Sequence, residues 1–172
     1  MTAPVIAQSI QQLQQVFPRA GQLRWIGLRS ERRAAVSSAS QVRVETGRGL
    51  VGDHAAQRSG SLRQVSLFQF EHWPIVSALM AHTALSPTLM RRNLMVSGIN
   101  LLALAQARFT IGSVLFEGTG LCEPCARMEA ALGAGGYNAM VGHGGIVARV
   151  VVGGEIALGD VVAYALPTPQ LI

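Results

Sequence analysis

The chain has 172 residues, of which 49% are hydrophobic, 13% are charged and 5% are aromatic. This composition predicts one globular domain with its own core and argues against a disordered chain. All 14 cationic residues are arginine, which excludes Schiff-base lysine chemistry, covalent binding of pyridoxal phosphate and a phosphate loop that ends in Gly-Lys-Ser/Thr. The formal charge of +5 favours anionic ligands, although biased nucleotide composition of the source genome accounts for the arginine excess equally well.

The beginning of the chain is predicted to be a helical leader over residues 1–22. Apolar residues recur at helical spacing from Ile6 to Val16, and Pro18 ends the pattern. This helix suits a contact in a homodimer or simple packing. No apolar run reaches the roughly 18 residues of a membrane-spanning helix, and the N-terminal residues lack the pattern of a secretory signal. We therefore expect a soluble protein of the cytoplasm.

The rest of the chain has the pattern of a mainly β, barrel-like domain with a few short helices over residues 23–165. The sequence predicts a glycine-rich loop at Gly47–His54 and a helix with Pro74 in its first turn. It also predicts a two-residue hairpin at Gly153-Gly154. Strands are expected at Trp25–Leu28, Ala34–Val36, Val42–Val44, Arg63–Phe68 (half-buried), Leu94–Val96 and along RFTIGSVLFEGTG from Arg108.

The two cysteines lie together in the segment Cys122-Glu123-Pro124-Cys125. One such pair supplies two ligands where structural zinc needs four, and no histidine has a matching spacing, so structural zinc is not predicted. Helix-forming residues follow as far as Gly133, so Cys125 is expected in the first turn of a helix, where the dipole and Arg127 favour its thiolate. Cys125 is therefore the candidate reactive residue, as a ligand of a soft metal, a persulfide carrier or a disulfide partner of Cys122. The alternative is a buried, inert cysteine.

Three consecutive residues, Arg91, Arg92 and Asn93, are candidates for binding an anion. Two guanidiniums and an amide can hold a phosphate and orient a polar heterocycle. A solvated helix end is the alternative interpretation of the same triplet.

A second polar set lies on the predicted strand that begins at Arg63. Gln64 and Ser66 share one face of this strand and Arg63 points to the other, so a polar outer face is an equally simple interpretation. His143 lies in the glycine-rich segment that follows Gly133, where it is a candidate polar contact or a structural residue.

Five motifs in this order resemble the MOSC domain, the module found at the C-terminus of molybdenum cofactor sulfurases. The resemblance covers about Trp25 to Tyr164 and is carried by GRGLVGDH, RQVSLFQFEH, RRNLMVSGINL, FTIGSVLFEGTGLCEPC and MVGHGGIVARVVVGGEIALGD. It implies a β-barrel-like fold that binds molybdenum cofactor, a pterin dithiolene with a terminal phosphate. In this family a cysteine at the position of Cys125 ligates molybdenum or is proposed to carry sulfur as a persulfide.

The resemblance also implies cofactor contacts in the segment that contains Arg91 and Asn93. The remaining candidates for binding the cofactor are Arg63, Ser66, Arg92, Asn100 and Thr119.

Two functions follow from the resemblance. The first is an oxidoreductase that reduces small N-hydroxylated compounds at a molybdenum ligated by Cys125, with electrons from a donor protein. The second is a carrier in which Cys125 accepts a persulfide from a cysteine desulfurase and passes sulfur to molybdenum cofactor. A thiol-disulfide module of Cys122 and Cys125 is a further alternative, whereas too few aromatic residues are present to favour nucleic-acid binding.

Overall fold

The structure is a computed structural model that describes residues 9–82 and 85–166. The α-helices in these residues are α1 (Ile10–Gln14), α2 (His72–Leu79), α3 (Ala126–Leu132) and α4 (Gly136–Ala139). The strands are β1 (Gly21–Leu28), β2 (Ser37–Ala39), β3 (Gln41–Glu45), β4 (Gly49–Leu50), β5 (Val65–Gln69), β6 (Leu94–Ser97), β7 (Arg108–Ile111), β8 (Val114–Leu121), β9 (Ile146–Val152), β10 (Gly154–Ala157) and β11 (Val161–Tyr164). Short 3-10 helices cover His54–Gln57, Pro87–Met90 and Leu101–Leu104.

Seven strands close a barrel in the order β11-β7-β8-β9-β5-β6-β1, and β1 pairs back with β11. Neighbouring strands are antiparallel except β5 and β6, which run parallel. Strand β2 extends the sheet beside β1, and β10, β3 and β4 form a separate small sheet. The predicted mainly β, barrel-like fold with a few short helices is confirmed.

Two hydrophobic clusters cover both faces of β5 and β6. Leu67 packs in the cluster inside the barrel, whereas the neighbouring Phe68 packs with Met95 in a second cluster beside α2 and α3. Leu67, Phe68 and Gln69 are all buried. The prediction of a half-buried strand at Arg63–Phe68 is therefore wrong, because helices pack over the side that the alternation pattern assigns to solvent.

The predicted hairpin at Gly153-Gly154 is also wrong. Strand β9 pairs with β5 and β8, whereas β10 pairs with β3 in the small sheet. A Cβ at Gly153 would lie 2.5 Å from the carbonyl oxygen of Val44, so the glycine is needed where two backbones touch as the chain leaves the barrel. A hairpin does occur within the segment predicted as one strand from Arg108, where Gly112 (φ +56) turns β7 into β8.

The N-terminal boundaries differ slightly from those predicted. Helix α1 is shorter than the pattern from Ile6 to Val16, and residues 6–8 lie outside the described residues. Strand β1 begins at Gly21, inside the predicted leader, because Gly21 pairs with Val162 to close the barrel. Residues 34–36 form no strand, and β2 follows them instead. Across the described residues 9–82 and 85–166, we find no helix with the length and apolarity to span a membrane.

Candidate functional site

A strongly cationic groove of about 250 Å³ opens where β1 ends and the parallel strands β5 and β6 begin. The polar side chains that line it include five arginines, two thiols and one carboxylate. The arginines are Arg29, Arg63, Arg91, Arg92 and Arg127, the thiols are Cys122 and Cys125, and the carboxylate is Glu123. Five guanidiniums around one small groove favour an anionic ligand.

The two cysteines occupy different environments at this groove. Cys125 is exposed and is the N-cap of α3, where its carbonyl accepts a hydrogen bond from Met128 N–H at 2.7 Å. The prediction that Cys125 lies inside the first turn is therefore wrong: α3 begins at Ala126, because Cys125 has extended backbone angles (φ −142°). Cys122 is buried, and its Sγ lies 4.0 Å from an Nη of Arg63. Cys125 is thus the thiol that a ligand or partner can reach.

Arg92 forms part of the wall of the groove and is 6% exposed. Its guanidinium donates to the carbonyl oxygens of Gly144 (2.8 Å), Met90 (3.0 Å) and Cys122 (3.4 Å). Burial lowers the pKa of Arg92, the two neighbouring cysteines raise it, and the positive charges of Arg63 and Arg91 lower it further, but a guanidinium stays protonated in proteins. Because its acceptors are backbone carbonyls, these bonds hold the charge in place without neutralising it.

The side chain of Asn93 is fully engaged with the protein. Its Oδ1 accepts from Ser66 N–H at 3.0 Å and from the Ser66 hydroxyl at 2.9 Å. Its Nδ2 donates to Gly27 O at 3.2 Å and to Asp53 Oδ2 at 2.9 Å. Asn93 and Ser66 line the groove but are committed to each other, so the geometry favours a positioning role for the amide over direct contact with a ligand.

Sequence reasoning missed a partly buried group formed by Arg29, Asp53 and His54. Asp53 is 4% exposed and accepts from Arg29 N–H and Ala55 N–H, both at 3.0 Å. Arg29 Nε and His54 Nδ1 are buried and have no hydrogen-bond partner among the described residues, and Arg29 Nε lies 3.8 Å from Asp53 Oδ2. In the sequence, the Asp-His pair at the end of the glycine-rich loop could have indicated Asp53 and His54 as site residues. No local sequence pattern indicates Arg29.

The positive charge of Arg29 is destabilised by burial and by neighbouring positive charges. Burial lowers the pKa of Arg29, the carboxylate of Asp53 raises it, and the positive charges of Arg91, Arg92 and Arg127 lower it. An anion bound in the groove would relieve both the repulsion and the missing hydrogen bond.

The other predicted site residues divide into two groups. Arg63 and Arg91 line the groove, and Arg91 has left-handed backbone angles (φ +51°) as the chain turns into β6. Asn100 and Thr119 lie elsewhere: Asn100 Oδ1 caps a 3-10 helix through Leu102 N–H at 3.2 Å, and the Thr119 hydroxyl donates to Leu62 O. Both side chains have hydrogen-bond partners within the protein, and their role as ligand contacts stays a prediction.

Solved structures with a similar fold come from several bacteria. The YuaD protein of Bacillus subtilis is 17% identical, with a TM-score of 0.70, and the match covers 87% of this chain and 100% of that one. YiiM of Geobacillus stearothermophilus is 13% identical, with a TM-score of 0.70 over 88% of this chain and 78% of that one. YiiM of Escherichia coli is 14% identical, with a TM-score of 0.65 over 88% and 72% of the two chains. At these identities the similarity demonstrates a shared fold.

Sequence comparison gives the family. No curated protein matches this sequence. The model of the MOSC domain matches residues 54–163, which is more than half of the chain and includes both cysteines, the arginine pair before β6 and six of the seven barrel strands. Together with the closed barrel, this match establishes that the chain belongs to the MOSC domain family.

Proposed function

We propose that the groove binds molybdenum cofactor and that the protein is a cytoplasmic oxidoreductase that reduces small N-hydroxylated compounds with electrons from a donor protein. One observation carries the proposal: an exposed thiol, Cys125, lies at a groove lined by five arginines. A thiolate is a soft ligand that suits a molybdenum–sulfur centre, and guanidiniums suit the terminal phosphate of the pterin.

The donor set fits this cofactor in both charge and chemistry. Cys125 would ligate the metal, and when bound the cofactor supplies two-electron redox chemistry there. Arg91 and Arg127 are two groove arginines whose side chains have no hydrogen bond to another described residue, so they are candidates for the phosphate. The unpartnered Nε of Arg29 is a further donor for it. Arg92 and Asn93 position the groove walls through their internal hydrogen bonds.

The proposal is tested by turnover. Protein expressed in a host that makes molybdenum cofactor is assayed with a dithionite-reduced viologen dye as electron donor and a small N-hydroxylated compound of the hydroxylamine type as acceptor. We expect Cys125→Ser to lower substrate-dependent dye oxidation by at least 100-fold, because the serine hydroxyl replaces the soft ligand. Cys122→Ser should keep most of the activity, since a single thiol ligates the metal. Absence of turnover in molybdenum-loaded wild-type protein would contradict the proposal.

A persulfide carrier is the second candidate, favoured by the exposure of Cys125 at the N-cap of α3. An accessible thiol at the start of a helix can be reached by a partner such as a cysteine desulfurase. Incubation with a desulfurase and free cysteine should then add the mass of one sulfur atom to wild-type protein and to Cys122→Ser. The same incubation should leave Cys125→Ser unchanged.

The two cysteine variants also separate a thiol-disulfide module from both candidates. A disulfide cycle between Cys122 and Cys125 needs both thiols, so Cys122→Ser would abolish it. Metal ligation and persulfide transport through Cys125 survive the same substitution.

A further inference from the structure

A half-buried pair of histidines lies outside the groove. The Nδ1 atoms of His72 and His143 are 3.3 Å apart, the ring centroids are 4.7 Å apart and the ring planes meet at 88°. His72 is the first residue of α2, and His143 lies 71 residues later in the turn after α4. Tertiary packing therefore brings together two imidazoles that the sequence keeps far apart.

We propose that His72 and His143 are two ligands of an exchangeable divalent transition-metal ion of the zinc type. Zn–N bonds of roughly 2.0–2.1 Å place two nitrogens on one tetrahedral ion about 3.3–3.4 Å apart. The separation of the two Nδ1 atoms matches this distance. Imidazole is also the side chain that zinc, copper and nickel ions commonly bind.

Metal binding requires a change of tautomer in the pair. In the metal-free pair one neutral ring donates its Nδ1 proton to the Nδ1 of the other ring. When the donor ring carries its proton on Nε2 instead, both Nδ1 lone pairs are available, and a neutral imidazole is the form that binds a metal.

The site takes two ligands from the described residues. The described part of the chain contains no cluster of three or more histidine, cysteine, aspartate or glutamate side chains that would hold a metal. The preceding carboxylate, Glu71, is engaged: one carboxylate oxygen accepts from Gly98 N–H at 2.7 Å and the other accepts from the Gln69 amide. The remaining coordination positions fall to water or a small ligand, which makes the ion exchangeable rather than structural.

The turn that carries His143 is hydrogen-bonded to two residues that line the groove. Gly144 O accepts from Arg92 Nε at 2.8 Å, and Gly145 O accepts from Cys122 N–H at 2.8 Å. An ion held by both histidines would therefore join α2 to the turn that supports Arg92.

Zinc binding to the full chain tests this proposal without reference to any redox activity. Calorimetric titration with zinc chloride is done in the Cys122→Ser/Cys125→Ser background, because the thiols of the groove bind zinc themselves. We expect one equivalent of zinc per chain, and at least tenfold weaker binding after either His72→Gln or His143→Gln. His82→Gln is the matched control, since His82 is exposed and should leave the affinity unchanged.

NMR of the histidine rings gives a second measurement that does not depend on how the variants fold. In the same cysteine-free protein, zinc should shift the ring signals of His72 and His143 and leave those of His54 and His82 in place. The proposal is overturned if the cysteine-free protein binds no zinc, or if binding survives both His72→Gln and His143→Gln. It is equally overturned if zinc shifts the signals of other histidines instead.

Discussion

Asn93 Nδ2 donates a hydrogen bond of 2.9 Å to Asp53 Oδ2, which joins the start of β6 to the end of the glycine-rich loop. Both side chains are almost completely buried, at 2% and 4% exposure. The same amide accepts from the backbone N–H and the hydroxyl of Ser66 on β5. One side chain thus ties together three segments that line the groove, and its loss would leave several buried polar groups without partners.

We therefore expect Asn93→Ala to destabilise the protein by about 3 kcal/mol. The substitution leaves the carboxylate of Asp53 and the N–H of Ser66 short of a partner, and each unsatisfied buried group costs about 1–3 kcal/mol. Urea unfolding followed by circular dichroism measures the change. Asn138→Ala, at an exposed position, is the control and should change the free energy of unfolding by less than about 1 kcal/mol. Equal losses in both variants would contradict the role given to Asn93.

Gly145 is predicted to be far less tolerant of alanine than Gly142. Both have left-handed backbone angles, φ +84° and φ +77°. A Cβ at Gly145 would lie 1.9 Å from the carbonyl oxygen of Leu67, whereas nothing lies within 4 Å of one at Gly142. Gly142→Ala should cost about 1 kcal/mol for the backbone strain alone. Gly145→Ala should cost at least about 2 kcal/mol more, because β5 must move away. Thermal unfolding of the two variants gives the comparison, and similar melting temperatures would count against this packing.

His72 should make the protein less stable as the pH falls below about 6.5. Burial, followed by the charge of His143, lowers the pKa of His72 in the folded state below its ordinary value of 6.5. The unfolded state then binds more protons in this range, so acid favours unfolding, and the stabilisation is complete only above about pH 6.5. The pKa of Glu71 is itself lowered by its hydrogen bonds to Gln69 and Gly98, against the opposing effect of burial, so this carboxylate stays ionised there.

The measurement for His72 is the urea midpoint at pH 7.5 and pH 5.5 in the absence of metal. Wild-type protein should lose more stability between these values than His72→Gln does, since the other histidines titrate in both proteins. Equal losses of stability in wild type and His72→Gln would show that His72 has the same pKa in the folded and unfolded states.

Inorganic phosphate should stabilise the wild-type protein through the groove. Phosphate stabilises folded proteins in general by exclusion from their surface, so the comparison between variants is what tests the site. We expect the rise in melting temperature with phosphate to be smaller in Arg91→Gln/Arg127→Gln than in wild type. Arg32→Gln, at an exposed position outside the groove, should respond as wild type does. An identical response of all three proteins would show that the groove does not select anions.

The site residues that could be predicted from the sequence are those that belong to a short, recognisable sequence pattern. Cys125 stands before a helix-forming segment, and Arg91, Arg92 and Asn93 are consecutive. Arg29 had no such pattern, because its side chain meets Asp53 only when the end of β1 approaches the glycine-rich loop. The proximity of His72 and His143 depends in the same way on packing between α2 and a distant turn.

The errors in the fold have a related cause. A Gly-Gly pair between two apolar runs has the same pattern whether the chain reverses on itself or crosses to another sheet, as it does at Gly153. Strand β5 shows polar residues beside apolar ones, yet Gln69 is buried because its amide binds Leu101 N–H and Glu71. The local sequence pattern indicated most of the strands. Which strands pair with each other, and which of their side chains are buried, depends on residues elsewhere in the chain.

The most direct test of the account is the molybdenum content of protein purified from a cofactor-producing host, measured for wild type, Cys125→Ser and Cys122→Ser. We predict near-stoichiometric molybdenum in wild type and in Cys122→Ser, and little in Cys125→Ser, because the proposal makes the exposed thiol the ligand of the metal. Equal molybdenum in all three proteins, or none in folded wild type, would contradict ligation by Cys125 and with it the proposed oxidoreductase.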